Sequence, residues 1–413
     1  MNRMATAPLR PLEANVLAEI NRGCLVELTG ELIAAGGEAS GGTEAATVAI
    51  LHRVLTGFGA TVRLSEVAPG RANLTAHLGG EQTGGGLLFL GHSDVVPAGH
   101  GWDADAFTPR EDQGRLIGRG ATDMKGGLAA VIAAMAAVHA HHPQLPLTLV
   151  CTVDEETDAI GVAHYVATEP VGSYTGCIVA EPTDLVAIIG CRGAANFGLR
   201  ITGASAHAGR PSDGASAIQA AAEVMAEIAQ DTIRLEAAKH PVLGAATWNI
   251  GTIAGGHGTS IVPDVCEMSL DRRLLPGEDA GLILEELLAG IRGRLQGSSI
   301  PGREKIAVHG ELLMQMPGFL TDAEHPFATG VRQAVRDVSG TGDAGIWTAS
   351  CEGGYMAEHH QVPTLVLGPG EINTQAHQPN ESVQIDDLLT AARAYALFAL
   401  RHWSENARTL STS

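Results

Sequence analysis

Short apolar runs closed by glycine-rich turns alternate along most of this chain with longer stretches of helical period. Before Gly190, Glu13–Ala35 and Thr43–Gly57 read as helices, Leu87–Leu90 as a short buried strand and Met124–Val138 as an apolar helix. LTLVCTV and CIVA read as further strands. Such alternation predicts an α/β fold, with a mixed sheet and helices on both faces. After Gly190 the pattern changes: a strand at FGLRITG, a helix at Ala215–Ala229, strands near Thr247–Ile253 and Asp264–Arg273, a helix at Asp279–Leu295 and a last strand near Lys305–Val308. Two helices among four strands suit a small α+β sandwich. From Gly310 the first pattern resumes, with a helix at Pro326–Val338, a strand at Pro363–Leu367 and a closing helix at Asp386–Arg401. The expected organisation is a discontinuous α/β domain, residues 1–190 and 309–413, with an inserted α+β sandwich at 191–308.

Residues of metal-ligand type recur beside these runs. His92 and Asp94 follow Leu87–Leu90 in LLFLGHSDVVPAG and, two apart, project from the same side. A carboxylate so placed can accept the free ring N–H of a metal-bound histidine, so Asp94 reads as its orienting partner. Asp123 stands at a turn before the apolar helix. Glu155 and Glu156 end one strand run, Glu181 ends another, and His377 follows PTLVLGPG and its loop. Neighbouring glutamates point to opposite sides, so one can bind metal while the other faces a bound water as general base. Two histidines with several carboxylates suit zinc, cobalt or manganese better than magnesium. Each residue also has a plain structural reading: Asp123 as a helix cap, the glutamates as a solvated turn, a lone histidine as packing. Recurrence at strand ends, where open sheets gather their sites, favours a shared two-metal hydrolase centre.

Composition narrows the surroundings. Lys and Arg total 26 against 46 Asp and Glu, a formal net charge of −20, which disfavours nucleic acid and anionic membranes as partners. The six cysteines form no C-x-x-C pair and read as buried, reduced thiols. The first residues lack the apolar core of a secretory signal, and Leu128–Val138 is well short of the roughly 18 residues that suggest a membrane span. A cytoplasmic location is the expectation.

The strings GHSDVVPAG, GRGATDMKGG, DEET, AEPTDL, GASAHAGRP, GGHGTSIVPDVCEMSLDRR, CEGG and LGPGEINTQAHQPNESV run in that order over nearly the whole chain. Together they resemble the metal-dependent aminoacylase and carboxypeptidase family, which includes acetylornithine deacetylase, succinyl-diaminopimelate desuccinylase, glutamate carboxypeptidases and dipeptidases. The resemblance implies two divalent ions, with Asp123 bridging them, His92 and Glu181 on one, and Glu156 and His377 on the other. It makes Glu155 the general base and Asp94 the partner of His92. It also implies that His207 reaches the active site of a partner subunit, hence a homodimer built through the inserted domain, and that Arg273 binds a substrate carboxylate. Without the resemblance, His207 is either an oxyanion donor or a loop histidine, and Arg273 a substrate anchor or a surface ion pair.

LGPGEINTQAHQPNE and the Cys351 segment look most like the acetylornithine enzymes. Two departures stand out: Ser260 where the family commonly has Asn, and Glu352, Gly353 and Gly354 in place of threonine, glutamate and alanine after the cysteine. Ser260, Gly353 and Gly354 are the expected substrate contacts. The activity implied is hydrolysis of a small N-acyl amino acid, acetyl foremost. Dipeptidase, carboxypeptidase and desuccinylase activities are the alternatives, with a metal-binding protein that has lost turnover more remote.

Overall fold

Four short strands, Leu147–Thr152, Gly85–His92, Ser173–Val179 and Thr364–Val366, lie side by side and parallel in the middle of a nine-stranded mixed sheet. The computed structural model, which describes residues 8–39, 43–79 and 85–411, divides into two compact units. The first comprises Met1–Gly190, Leu320–Ile346 and Glu352–Ser413. The second comprises Cys191–Phe319 and Trp347–Cys351.

In the first unit the parallel strands are buried on both sides, which is why their sequences read as near-continuous apolar runs. Leu87, Phe89, Leu149, Cys151, Ile178 and Leu365 join one core with the helices Gly126–His141 and Ile385–Ser411. Alternate residues Leu88, Leu90, Val150, Cys177, Val179 and Val366 are equally buried but lie outside that core, on the other side of the pleat. Helices therefore cover the sheet twice, as an α/β sheet requires. The segment Ala121–His141 is apolar and long enough to cross a bilayer, yet 89% of its most apolar 18-residue stretch is buried. It is a core helix.

Several features of this unit differ from expectation. The first helix is broken into Pro11–Glu19 and Arg22–Ala34, because the Asn21 side chain accepts the Cys24 N–H at 2.9 Å and starts a second helix. An antiparallel hairpin, Thr61–Ala68 with Arg71–Leu78, extends the sheet where no strand is expected. Its outer strand, TVRLSEVA, has no buried residue and no continuous apolar run. Cys24 is exposed, the other five cysteines being buried.

The second unit is a four-stranded antiparallel sheet in the order Thr247–Gly255, Val265–Leu274, Gly193–Thr202, Ala307–Met316. Ala195, Phe197, Leu199 and Ile201 alternate along one strand, and Cys266, Met268 and Leu270 along its neighbour. All pack against the helices Ala217–Ala237 and Ala280–Gly297. The last strand, expected to stop near Val308, runs on to Met316 because it pairs with Gly193–Thr202 along its length. The unit consequently reaches Phe319, not residue 308, and adds Trp347–Cys351.

Candidate metal centre

The parallel strands end within two residues of one another: His92 pairs in register with Thr152, Leu90 with Val179, and Val179 with Val366. Open sheets present ligands at this carboxyl edge. His92 is the last residue of its strand, Glu155 and Glu156 stand in the loop after Thr152, and Glu181 stands just past Val179. Asp123 enters from the tight turn Ala121–Lys125, which leads into Gly126–His141. A Cβ on Gly127 would lie 2.0 Å from the Ala180 carbonyl oxygen, so only glycine lets this helix close on the strand end that carries Glu181. His377 sits in the loop between Thr364–Val366 and Ser382–Gln384, in the left-handed region at φ +63°.

The ligand atoms form two groups that share Asp123: His92, Asp123 and Glu181 in one, Asp123, Glu156 and His377 in the other. Within each group they all lie within 4.8 Å of one another. His92 Nε2 is 3.2 Å from Asp123 Oδ1 and 3.4 Å from Glu181 Oε1. His377 Nε2 is 3.0 Å from Glu156 Oε2 and 3.4 Å from Asp123 Oδ2. Each oxygen of Asp123 thus faces a different imidazole. Glu155 belongs to neither group.

The electrostatics are those of carboxylates crowded into a cleft. Burial, and then the Asp123 charge, push Glu181 up to about 7; the same two causes raise Glu156. Burial foremost, with Glu181 and Glu156 behind it, holds Glu155 well above the usual range. For His92, burial opposes protonation but the Glu181 charge and bonds to Asp123, Asp94 and Glu181 outweigh it, so its pKa rises well above the ordinary value. Bonds to Asp123 and Glu156 raise His377 to about 10. Glu156 Oε1 is buried without a hydrogen-bond partner. Buried acceptors are rarely left so, and a divalent cation would satisfy this one while neutralising the excess acid. The residues fit a pair of such ions.

A shell of hydrogen bonds holds the groups in place. His92 Nδ1 lies 3.0 Å from the backbone carbonyl of Asp94 and 3.4 Å from its carboxylate, so the residue contacts the ring through both groups. The carboxylate also accepts the backbone N–H groups of Glu155 and Glu156, both at 3.1 Å. Asn73 accepts the Val153 N–H and donates to Gly161 O, and Arg71 pairs with Asp154 at 2.7 Å, so the unforeseen hairpin straps the same loop. Glu381 accepts the Asp123 N–H at 2.9 Å. Glu352 is buried, accepts from Thr152 Oγ1 at 2.6 Å, and is pushed by burial up to about 8. Sequence reading missed Arg71, Asn73 and Glu381. Only Glu381 lay inside a motif already singled out, LGPGEINTQAHQPNESV; Arg71 and Asn73 lie in none. Gly353 and Gly354 are buried at the start of the helix Gly353–His360.

His207, Ser260 and Arg273 belong to the second unit. His207 and Ser260 are exposed neighbours, with a bridge from His207 to Ile261 and the Ala208 N–H on Ser260 O at 3.0 Å. Arg273 lies half-exposed against Asp271, 3.0 Å from its carboxylate. Arg272 is buried on the opposite side of the strand, over Trp248.

Residues 88–401 match the model of peptidase family M20/M25/M40. The chain belongs to this family. As an M20 member it is a metal-dependent hydrolase of amide bonds. It is 35% identical over 336 residues to the acetylornithine deacetylase of Vibrio campbellii (strain ATCC BAA-1116), covering 80% of this chain and 84% of that one. The aminopeptidase PepT of Bacillus cereus ATCC 10987 superposes with a TM-score of 0.72 at 21% identity, over 92% of this chain and 98% of that one. Bacillus subtilis YXEP, a dinuclear metal-binding M20 peptidase, gives 0.67 at 15% identity, over 92% and 97% of the two chains. At those identities the structural likeness speaks for the M20 fold.

Proposed function

We propose that this protein hydrolyses the amide bond of a small N-acyl amino acid, N-acetyl foremost, as its acetylornithine deacetylase relatives do by name. The observation that carries the reading is the pair of His–carboxylate groups sharing Asp123, with Glu155 beside them and in neither. His92, Asp123 and Glu181 would hold one divalent ion and Asp123, Glu156 and His377 the other, zinc foremost, with cobalt or manganese as alternatives. When bound, such ions polarise an acyl carbonyl and lower the pKa of water.

The chain supplies the rest. Glu155 takes a proton from the attacking water and returns it to the leaving nitrogen, a carboxylate serving as base and then acid. Asp94 keeps Glu155 and Glu156 in place through their backbone N–H groups. His207, contributed by a partner subunit across a dimer built on the second unit, donates to the developing oxyanion. Arg273 anchors the substrate carboxylate, and Ser260, Gly353 and Gly354 line its path.

The deciding experiment assays N-acetyl, N-succinyl and dipeptide substrates with zinc, cobalt and manganese, and compares each N-acetyl amino acid with its amide. Turnover of free N-acetyl acids, with amides poor substrates, is expected. The charge-assisted bond from Arg273 is worth about 1.5–3 kcal/mol, roughly ten- to a hundredfold. Cleavage of dipeptides alone would replace this reading with a peptidase, cleavage of succinyl substrates alone with a desuccinylase, and binding without turnover with a silent metal protein.

A further inference from the structure

Glu381 is 1% exposed, and both of its carboxylate oxygens are occupied. Oε1 accepts the N–H groups of Thr122 and Asp123, each at 2.9 Å. Oε2 accepts the Gly120 N–H at 3.1 Å and Arg119 Nη1 at 2.6 Å. Arg119 is itself buried, lies 5.2 Å over the Trp102 ring, and donates to Ala98 O at 3.2 Å. The Gly118 N–H bonds the Glu381 carbonyl at 2.9 Å, so the turn carrying Asp123 is laced to the segment that follows His377. With four donors on it, this carboxylate has no oxygen free to act as a ligand.

Burying a carboxylate and a guanidinium is costly, and an apolar pair of the same volume often holds a chain as well or better. What the ion pair adds here is direction. Three backbone N–H groups of one turn converge on a single acceptor, fixing the point from which the Asp123 side chain departs. The acceptor itself lies on the loop of His377, which faces the same Asp123.

We propose that Glu381, locked by Arg119, is a positioning residue for the metal centre, setting the spacing of Asp123 and His377 and thereby the affinity of the ion they share with Glu156. The proposal rests on the ligand assignments under Proposed function. Groups that orient metal ligands typically contribute ten- to a hundredfold to metal affinity.

The test is calorimetric titration of zinc into the metal-free full-length protein, with thermal melting alongside. Wild type should take up two ions. Glu381→Gln, which turns an NH2 group toward the N–H donors, should bind one of them ten- to a hundredfold more weakly. Arg119→Lys, which keeps the charge but not the fork, should weaken the same ion, and it decides the matter if Glu381→Gln does not fold. Arg115→Met removes two bonds to the neighbouring Ser382, both 2.8 Å, and should lower the melting temperature without changing affinity for either ion. Wild-type affinity in folded Glu381→Gln or in Arg119→Lys overturns the proposal. So does an equal loss in Arg115→Met, which would reduce the effect to general loosening. Wild-type protein that takes up no ion would overturn the ligand assignments themselves, and the proposal with them.

Discussion

The carboxylate of Asp94 accepts the backbone N–H of Glu156 at 3.1 Å, and its other oxygen accepts that of Glu155 at the same distance. One buried side chain therefore sets where both glutamates of the DEET loop begin, while the same residue's carbonyl orients the His92 ring at 3.0 Å. Asp94→Asn keeps the size but replaces one acceptor by an NH2 donor facing an N–H. A buried donor left unpaired costs about 1–3 kcal/mol. The expected outcome is a folded enzyme with strongly reduced kcat and weakened metal binding, measured by steady-state assay and metal titration. Unchanged kcat would show that the loop keeps its place without Asp94.

Glu155 and Glu156 are adjacent but differently placed, since Glu156 Oε2 lies 3.0 Å from His377 Nε2 and Glu155 lies outside both ligand groups. Glu155→Ala should abolish turnover with both metals retained, whereas Glu156→Ala should lose metal. Elemental analysis of the two purified variants decides. Metal loss from the Glu155 variant with full loading of the Glu156 variant would exchange the two roles.

The candidate ligands at the strand ends were legible because an apolar strand followed by a polar, ligand-type residue is a local pattern. His92, Glu156 and Glu181 each carry it within a few positions. Apart from Asp94, what holds them was not legible. Glu381 acts on Asp123 across 258 positions, and Asn73 on Val153 across 80, so no local window contains both partners. The hairpin carrying Asn73 and Arg71 also escaped: its outer strand has no buried residue, and the inner strand RANLTAHL, though buried over 73–76, alternates with polar side chains and so has no continuous apolar run. The second unit's boundary was misplaced for a related reason: Ala307–Met316 is an edge strand whose exposed positions dilute the apolar signal after Val308.

His360 gives a pH prediction away from the metal ligands. Its Nδ1 accepts the Gly172 N–H at 3.0 Å and its Nε2 lies 3.1 Å from the Tyr165 hydroxyl, so the neutral ring with its proton on Nε2 satisfies both. Protonation at Nδ1 would set two donors face to face. Burial, followed by the charge of His359, pushes its pKa down to about 4 from an ordinary 6.5. Between those values the unfolded chain binds the extra proton, so stability rises with pH. This contribution is complete above about 6.5 and is lost as pH falls toward about 4. Denaturant unfolding at pH 7 and pH 4.5 should show a larger loss in wild type than in His360→Gln. Equal losses would mean that His360 is not held neutral in the folded state.

The proposed mechanism places His207 in the opposite subunit's site, and subunit exchange tests this directly. His207→Ala and Glu155→Ala homodimers should each be nearly inactive, because every site lacks either its oxyanion donor or its base. In a mixed dimer both defects fall in one site. The other site draws an intact Glu155 from one chain and an intact His207 from its partner. Activity should reappear on exchange and approach half the wild-type rate per heterodimer. Mass measurement establishes that exchange has occurred. Activity that stays absent in confirmed heterodimers would place His207 outside the partner's chemistry and leave each protomer to work alone.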